Sequence, residues 1–417
     1  MAKIVLSTFG SLGDLHPKIA LGIELKSRGH DIIFNVMEFY REKVEALGFD
    51  ISPLRPDVTP DDRKLARALM EAKTGTEKII TELIMPNLHS MFDDMMQAVE
   101  KADLMITGEI IYPAKSVVEK SGVKWISTSL APASFLSAYD PFVPPLAQWY
   151  KNLRFMPAMF HKGVFKMMRG TIKHWYSPYK KFRRDLGLNE NHDPIFDEKY
   201  SDLLHLALFS KVLGVTQPDW HSPTLQTGFC FYDGKDDLGQ MSQRLIKFLD
   251  AGESPIVFTL GSAAVMDARD FFEESAKAAK ILNRRAVLLY GVFNKPPKIL
   301  DENIVGFDYA PYSEIFPRAG AVVHQGGVGT TGQVLRAGVP ALIMPFSHDQ
   351  PDNAERCRRA GVAETIDRDS YRAETAAKKL EKILNDQSYK SNAAEASRIV
   401  LTENGTETAC DAIESVL

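Results

Sequence analysis

Two runs of residues in this chain combine types and spacings that could do chemistry. The first is His324-Gln325-Gly326-Gly327-Val328-Gly329-Thr330-Thr331, followed by Gly338-Val339-Pro340 and by His348-Asp349-Gln350-Pro351-Asp352-Asn353. Its small residues let backbone N–H groups approach an anion, and a helix starting there would favour negative charge at its N-terminus. Glycine-rich turns are common; His324 at the strand end and the Asp349-Gln350 pair one strand later make this one distinctive. The second run, Gly10-Ser11-Leu12-Gly13-Asp14-Leu15-His16-Pro17, is the matching loop of the first half. Asp14 there reads either as a general base facing a cleft or as the N-cap of the next helix. His16 is the backup base, or a structural histidine beside Pro17.

Other chemistries fit less well. The G-x-x-G of the first loop is not the G-x-G-x-x-G of a dinucleotide site, and Glu38 alone does not supply one. No G-x-S-x-G elbow supports a serine hydrolase. Cys230, Cys357 and Cys410 lack metal-ligand spacing and fit a reducing compartment. Asp367-Arg368-Asp369 reads as a turn and helix cap near Ser370, so no metal and no other cofactor is expected.

These residues need strands and helices to hold them. Lys3 to Thr8 reads as a strand, about Pro17 to Arg28 as a helix, Asp31 to Val36 as a second strand and Phe39 to Leu47 as a second helix. Short strands follow at 104–107 and 125–128. A second series starts with Ile256 to Leu260 and continues at 286–290, 304–307, 321–323 and 341–344. Alternating βαβ units imply two α/β domains with parallel sheets, whose ligand lies between them at the strands' carboxyl ends. The expected boundaries are residues 1–232, 233–398 and a C-terminal helical stretch, 399–417, packing back on the first domain. Gly228 to Gln240 reads as the interdomain linker.

The segment from Pro141 to Arg184 breaks this rhythm with aromatic, Met and basic residues. It reads as a lid over a pocket for a lipophilic or phenolic substrate, as a weak peripheral membrane patch, or as amphipathic core helices. Phe135, Phe142 and Trp149 are candidate walls of an acceptor pocket.

Gly13-Asp14-x-x-Pro17, Arg28-Gly29-His30, Tyr309-Ala310-Pro311, the His324 to Thr330 run and Asp349-Gln350-x-x-Asn353-Ala354 together resemble glycosyltransferase family 1. The match spans both halves with the motifs in order, and is nearest to the bacterial rhamnosyltransferase, sterol and flavonoid glycosyltransferase branch. The resemblance implies the GT-B fold, two Rossmann-like domains facing across a cleft. It implies an inverting transfer of a hexose, rhamnose or glucose, from a UDP- or dTDP-sugar to a hydroxyl of a hydrophobic acceptor such as a lipid, sterol, flavonoid or other phenolic. The nucleotide sugar is then a co-substrate. Asp14 takes the place of the family's catalytic base. Ser11, Gly13, Ser262, His324, Gly326, Gly327, Gly329 and Thr330 fall on the donor side, chiefly at its diphosphate, whose charge His324 would help to carry. Tyr309 falls where a base-stacking aromatic sits, and Asp349 and Gln350 fall at the donor sugar. The family's ribose-binding Glu is replaced by Gly332, with Gln333 beside it. The alternatives are a nucleotide-sugar epimerase of the same fold and a non-catalytic nucleotide-sugar-binding protein.

At 417 residues, with 45% hydrophobic residues and a net charge of −4, the chain reads as an ordinary globular protein with no nucleic-acid partner. No signal-peptide pattern or bilayer-length apolar run is present, so a cytoplasmic location is expected.

Overall fold

The computed structural model describes residues 1–59, 62–234 and 241–417. Two parallel sheets organise it. The first contains β1 (Lys3–Ser7), β2 (Asp31–Val36), β3 (Asp50–Pro53), β4 (Leu104–Thr107), β5 (Lys124–Ser129), β6 (Leu204–Ala207) and β7 (Thr224–Gln226), in the order β3-β2-β1-β4-β5-β6-β7. The second contains β8 (Ile256–Thr259), β9 (Ala286–Leu289), β10 (Ile304–Phe307), β11 (Ala321–His324), β12 (Ala341–Ile343) and β13 (Ala363–Thr365), in the order β10-β9-β8-β11-β12-β13. Helices cover both faces, so the central strands are apolar and buried along their length.

In each sheet the strand order reverses once, between β1 and β4 and between β8 and β11. Loops leaving the carboxyl ends on either side of such a reversal diverge and open a crevice. The glycine loop after β1 and the glycine turn after β11 both leave from these two points.

The first helix runs from Leu12 to Ser27, five residues earlier than Pro17, where the sequence places its start. Ser11 is its N-cap and Asp14 its third residue, and the two bond reciprocally in a capping box. That closure starts the helix early enough to leave Pro17 inside it. Asp14 therefore stands on the first helical turn and is not the N-cap. The Phe39–Leu47 helix is likewise divided, into a short turn at Glu38–Tyr40 and a helix at Arg41–Ala46. Strands β3, β6, β7 and β13 are additions to the elements expected from sequence.

The helix Gly405–Glu414 packs on Leu12–Ser27: Arg28 bonds Asp411 at 2.6 Å and Glu414 at 2.8 Å. Pro141 to Arg184 is helical, mainly as Pro145–Leu153, Ala158–Thr171 and Ser177–Asp185. Of the expected linker, residues 235–240 lie outside the described residues, and Phe229 before them is buried. One apolar core surrounds the first sheet. Another joins Phe135, Phe209 and Leu213 of the first half to Val334, Ala354 and Cys357 of the second. All three cysteines are free and buried. No helix among the described residues is long and apolar enough to cross a membrane.

Candidate active site

The Asp14 carboxylate accepts hydrogen bonds from Ser11 N at 2.8 Å and Ser11 Oγ at 3.3 Å. It lies directly over Gly10, whose φ is +132°; a Cβ at residue 10 would come within 2.3 Å of Asp14 Oδ2. Only glycine permits that approach. Ser11 Oγ in turn accepts from Gly13 N at 3.2 Å, so Ser11 and Gly13 build the turn that presents Asp14. Burial raises the Asp14 carboxyl to about 6; the Ser11 N–H opposes the rise and the Glu109 charge adds to it. A carboxylate titrating there is ionised at neutral pH and more basic than an ordinary Asp, as a general base requires. His16 packs edge-on to Tyr232, with ring centroids 5.2 Å apart.

One turn beyond Asp14 lies Lys18, fully buried, with Nζ donating to Thr128 Oγ1 at 2.5 Å. Burial lowers it to about 8, against the opposing pull of Asp14 and Glu109. Glu109 follows β4 and accepts from Leu130 N at 3.0 Å and Ser134 Oγ at 2.5 Å. Asp14 thus sits between one buried cation and a second carboxylate.

Across the crevice, His324 ends β11 and is fully buried. Its Nδ1 accepts from Gly326 N at 3.0 Å, which assigns the ring proton to Nε2. Nε2 has no hydrogen-bond partner among the described residues. Burial holds the ring to about 3, so His324 is a neutral donor. Gly326 makes the turn, Gly327 is the N-cap of the helix Val328–Ala337, and Gly329 and Thr330 lie in its first turn. A Cβ at Gly329 would meet nothing within 4 Å, so the space outside that turn is open.

Asp349 precedes the helix Gln350–Arg359. Asn353 Nδ2 donates to Asp349 Oδ2 at 2.7 Å and to Gly326 O at 2.9 Å, fastening this loop to the glycine turn. Burial raises Asp349 to about 7, and the charges of Asp14 and Glu109 add to the rise. Gln350 is buried, with Oε1 accepting from Phe346 N at 2.9 Å and Nε2 4.0 Å from Met70 Sδ of the first half. Ser262 is exposed in the turn after β8, and Tyr309 is 43% exposed after β10. Gly332 faces Phe229, whose ring would lie 3.2 Å from a Cβ there. Gln333 Nε2 bonds Asp233 at 3.3 Å.

Segments of the first half also reach over to the second. Arg356, on the helix of Gln350, bonds Asp352 at 2.6 Å, Leu213 O at 2.9 Å and the Asp140 carboxylate. Asp352, fully buried, also accepts from Val143 N at 2.9 Å. Thr76 Oγ1 meets His348 Nδ1 at 3.0 Å.

The candidate acceptor walls separate. Phe135 stacks on Trp220 at 3.8 Å and lines a cavity of about 480 Å³ with Phe165, Arg169, Phe196 and Tyr200. Phe142 touches Phe165 at 5.9 Å between centroids. Trp149 is 62% exposed on the outer surface. Sequence reasoning passed over Lys18, Thr128, Asp352 and Arg356. The signal for Lys18 is a cation at i+4 from Asp14, on a face otherwise made by Leu15, Ile19 and Leu25.

Asp367-Arg368-Asp369 forms a short turn in which Arg368 pairs with Asp267 at 2.6 Å. Among the described residues, no group of three or more His, Cys, Asp or Glu could hold a metal ion.

Residues 233–403 match the family model described as UDP-glucoronosyl and UDP-glucosyl transferase. The O-mycaminosyltylonolide 6-deoxyallosyltransferase of Streptomyces fradiae is 29% identical, over 99% of this chain and 97% of its own length. Among solved structures, the glycotransferase of kitacinnamycin superposes with a TM-score of 0.77 at 20% identity, covering 100% of this chain and 99% of its own. A glycosyltransferase of Streptomyces sp. SF2575 complexed with thymidine diphosphate gives 0.66 at 19% identity, covering 100% of both chains. Two facing parallel sheets, a glycine turn at the reversal point of the second and these matches lead to one assignment: the chain has the GT-B fold, its second half matches the UDP-glucoronosyl and UDP-glucosyl transferase family model, and it is similar over its length to family 1 glycosyltransferases.

Proposed function

We propose that this enzyme transfers a hexose, with inversion, from a dTDP-sugar to a hydroxyl of a hydrophobic small-molecule acceptor. The observation that carries the reading is that the loop bearing Asp14 and the glycine turn after His324 leave the carboxyl ends of the two sheets at their reversal points, with His324 Nε2 unbonded among the described residues. In this reading the acceptor O–H gives its proton to the Asp14 carboxylate as its oxygen bonds to the anomeric carbon. The bond from that carbon to the diphosphate oxygen breaks, and the diphosphate leaves with the electron pair. His324 Nε2–H and the N–H groups at Gly327, Gly329 and Thr330 receive the departing charge, and neutral donors fixed in advance serve that task well. Asp349 and Gln350 Nε2 orient the sugar, Ser262 meets the phosphates and Tyr309 stacks on the base.

Two features favour dTDP over UDP. Gly332 replaces the family's ribose acid and faces the apolar Phe229 ring, a surface suited to a sugar lacking its 2′-hydroxyl. A structural neighbour was solved with thymidine diphosphate. The Phe135 cavity suits a lipophilic or phenolic acceptor such as a macrolide, sterol or flavonoid. A thermal-shift panel with dTDP, UDP and their glucose and rhamnose conjugates tests the donor. Binding raises the unfolding midpoint by mass action, more with dTDP than with UDP. A larger shift with UDP overturns the choice of base, and no shift with any of them overturns the donor site.

A further inference from the structure

The 44 residues from Pro141 to Arg184 contain ten Lys and Arg and no Asp or Glu, in a chain of net charge −4. The structure gathers much of this charge on two joined elements. Pro145–Leu153 and the helix Ala158–Thr171 are pinned by Tyr150 Oη and His161 Nδ1, 2.5 Å apart. Their inner side is anchored; their outer side is apolar and basic. Leu146 is 63% exposed, Trp149 62%, Phe155 81%, Met159 78% and Met167 69%. On the helix, Met159, Lys162, Lys166 and Met167 fall on a single outward arc at 3.6 residues per turn. Arg154 and Arg169 are held by acidic partners, whereas Lys162, Lys166 and Lys173 form no ion pair with any described residue.

Core packing does not account for a methionine and a phenylalanine about four-fifths in solvent beside unpaired lysines. Apolar surface of this extent marks an interaction face. A protein partner would be expected to bring carboxylates to specific lysines. Long, flexible Lys side chains around protruding Trp, Phe and Met suit a diffuse anionic surface that those apolar tips can enter.

We propose that the face formed by residues 145–173 docks on an anionic lipid bilayer. The helix that carries this face also forms a wall of the Phe135 cavity, through Phe165, Lys166 and Arg169. A docked enzyme would therefore hold that cavity next to the lipid phase, where a lipophilic acceptor is concentrated. The docking itself does not depend on the acceptor or donor assignment.

The test is co-sedimentation of the full chain with phosphatidylcholine vesicles, with and without phosphatidylglycerol, over a salt series. Binding is expected only with phosphatidylglycerol, falling as salt screens the lysines. The Lys162→Gln/Lys173→Gln variant should bind about twenty-five-fold more weakly, about fivefold for each charge removed. Phe155→Ser/Met159→Ser should lose about tenfold or more. These positions are exposed, so unfolding midpoints should match the parent and separate lost docking from lost fold. Equal recovery on neutral and anionic vesicles, or none at low salt, overturns the proposal. So does sedimentation velocity showing that Phe155→Ser/Met159→Ser only converts a dimer to a monomer, because the face would then be covered by a second copy.

Discussion

Replacing Asp14 with asparagine should abolish transfer and stabilise the fold, for one reason. Burial lifts this carboxyl from its ordinary 3.8 to about 6, so the folded state resists its ionisation. At 1.36 kcal/mol for each pKa unit, the penalty reaches about 3 kcal/mol once the group is fully ionised. Asp14 is half-buried, and an amide oxygen accepts the Ser11 N–H less strongly than a carboxylate, so about 1–2 kcal/mol should survive as net gain. The sign follows from proton counts: between pH 3.8 and about 6 the folded state holds a proton that the unfolded state has released. Wild-type stability therefore falls as pH rises through that window and levels off above it. The amide of the Asp14→Asn variant does not titrate, so its advantage should be absent below about pH 4 and complete above about pH 6. Urea unfolding of both proteins from about pH 4 to 8, alongside a transfer assay, reads both effects. Retained transfer would remove Asp14 from the base role. A stability difference that does not vary with pH would refute burial as the cause of its raised pKa.

Lys18→Met removes the cation that favours ionised Asp14, so the acid limb of the kcat/KM profile should move to higher pH; an unmoved limb would mean that Lys18 only packs. Arg356→Met leaves the fully buried Asp352 without its cation and should cost about 3–5 kcal/mol in urea unfolding. Adding Asp352→Asn should restore part of that loss, and strictly additive losses would show that the pair is not coupled.

The α/β alternation, both glycine runs and the strand before each were legible because short apolar strands ending in glycine constrain the backbone locally. Asp14 was legible by position, but its setting was not. The helix starts five residues before Pro17 because Ser11 and Asp14 close a reciprocal cap there. The neutral state of His324 was also hidden, because it follows from complete burial and from Gly326 N occupying Nδ1. The burial of Lys18 depends on Thr128 of β5, which lies 110 residues away in the sequence. Strands β6 and β7 gave weak patterns because each is only three or four residues long.

The helix Gln350–Arg359 bears on how such enzymes can be recombined. Asp349 and Gln350 at its start are the residues proposed to orient the donor sugar, while Asp352 and Arg356 further along grip Val143 and Asp140 of the first half. A hybrid joined in the segment between the two sheets would take Asp140 from one parent and Arg356 from the other. The first half is therefore not an independently exchangeable module here: the 140–143 loop and this helix have to be inherited together for the two halves to keep their alignment.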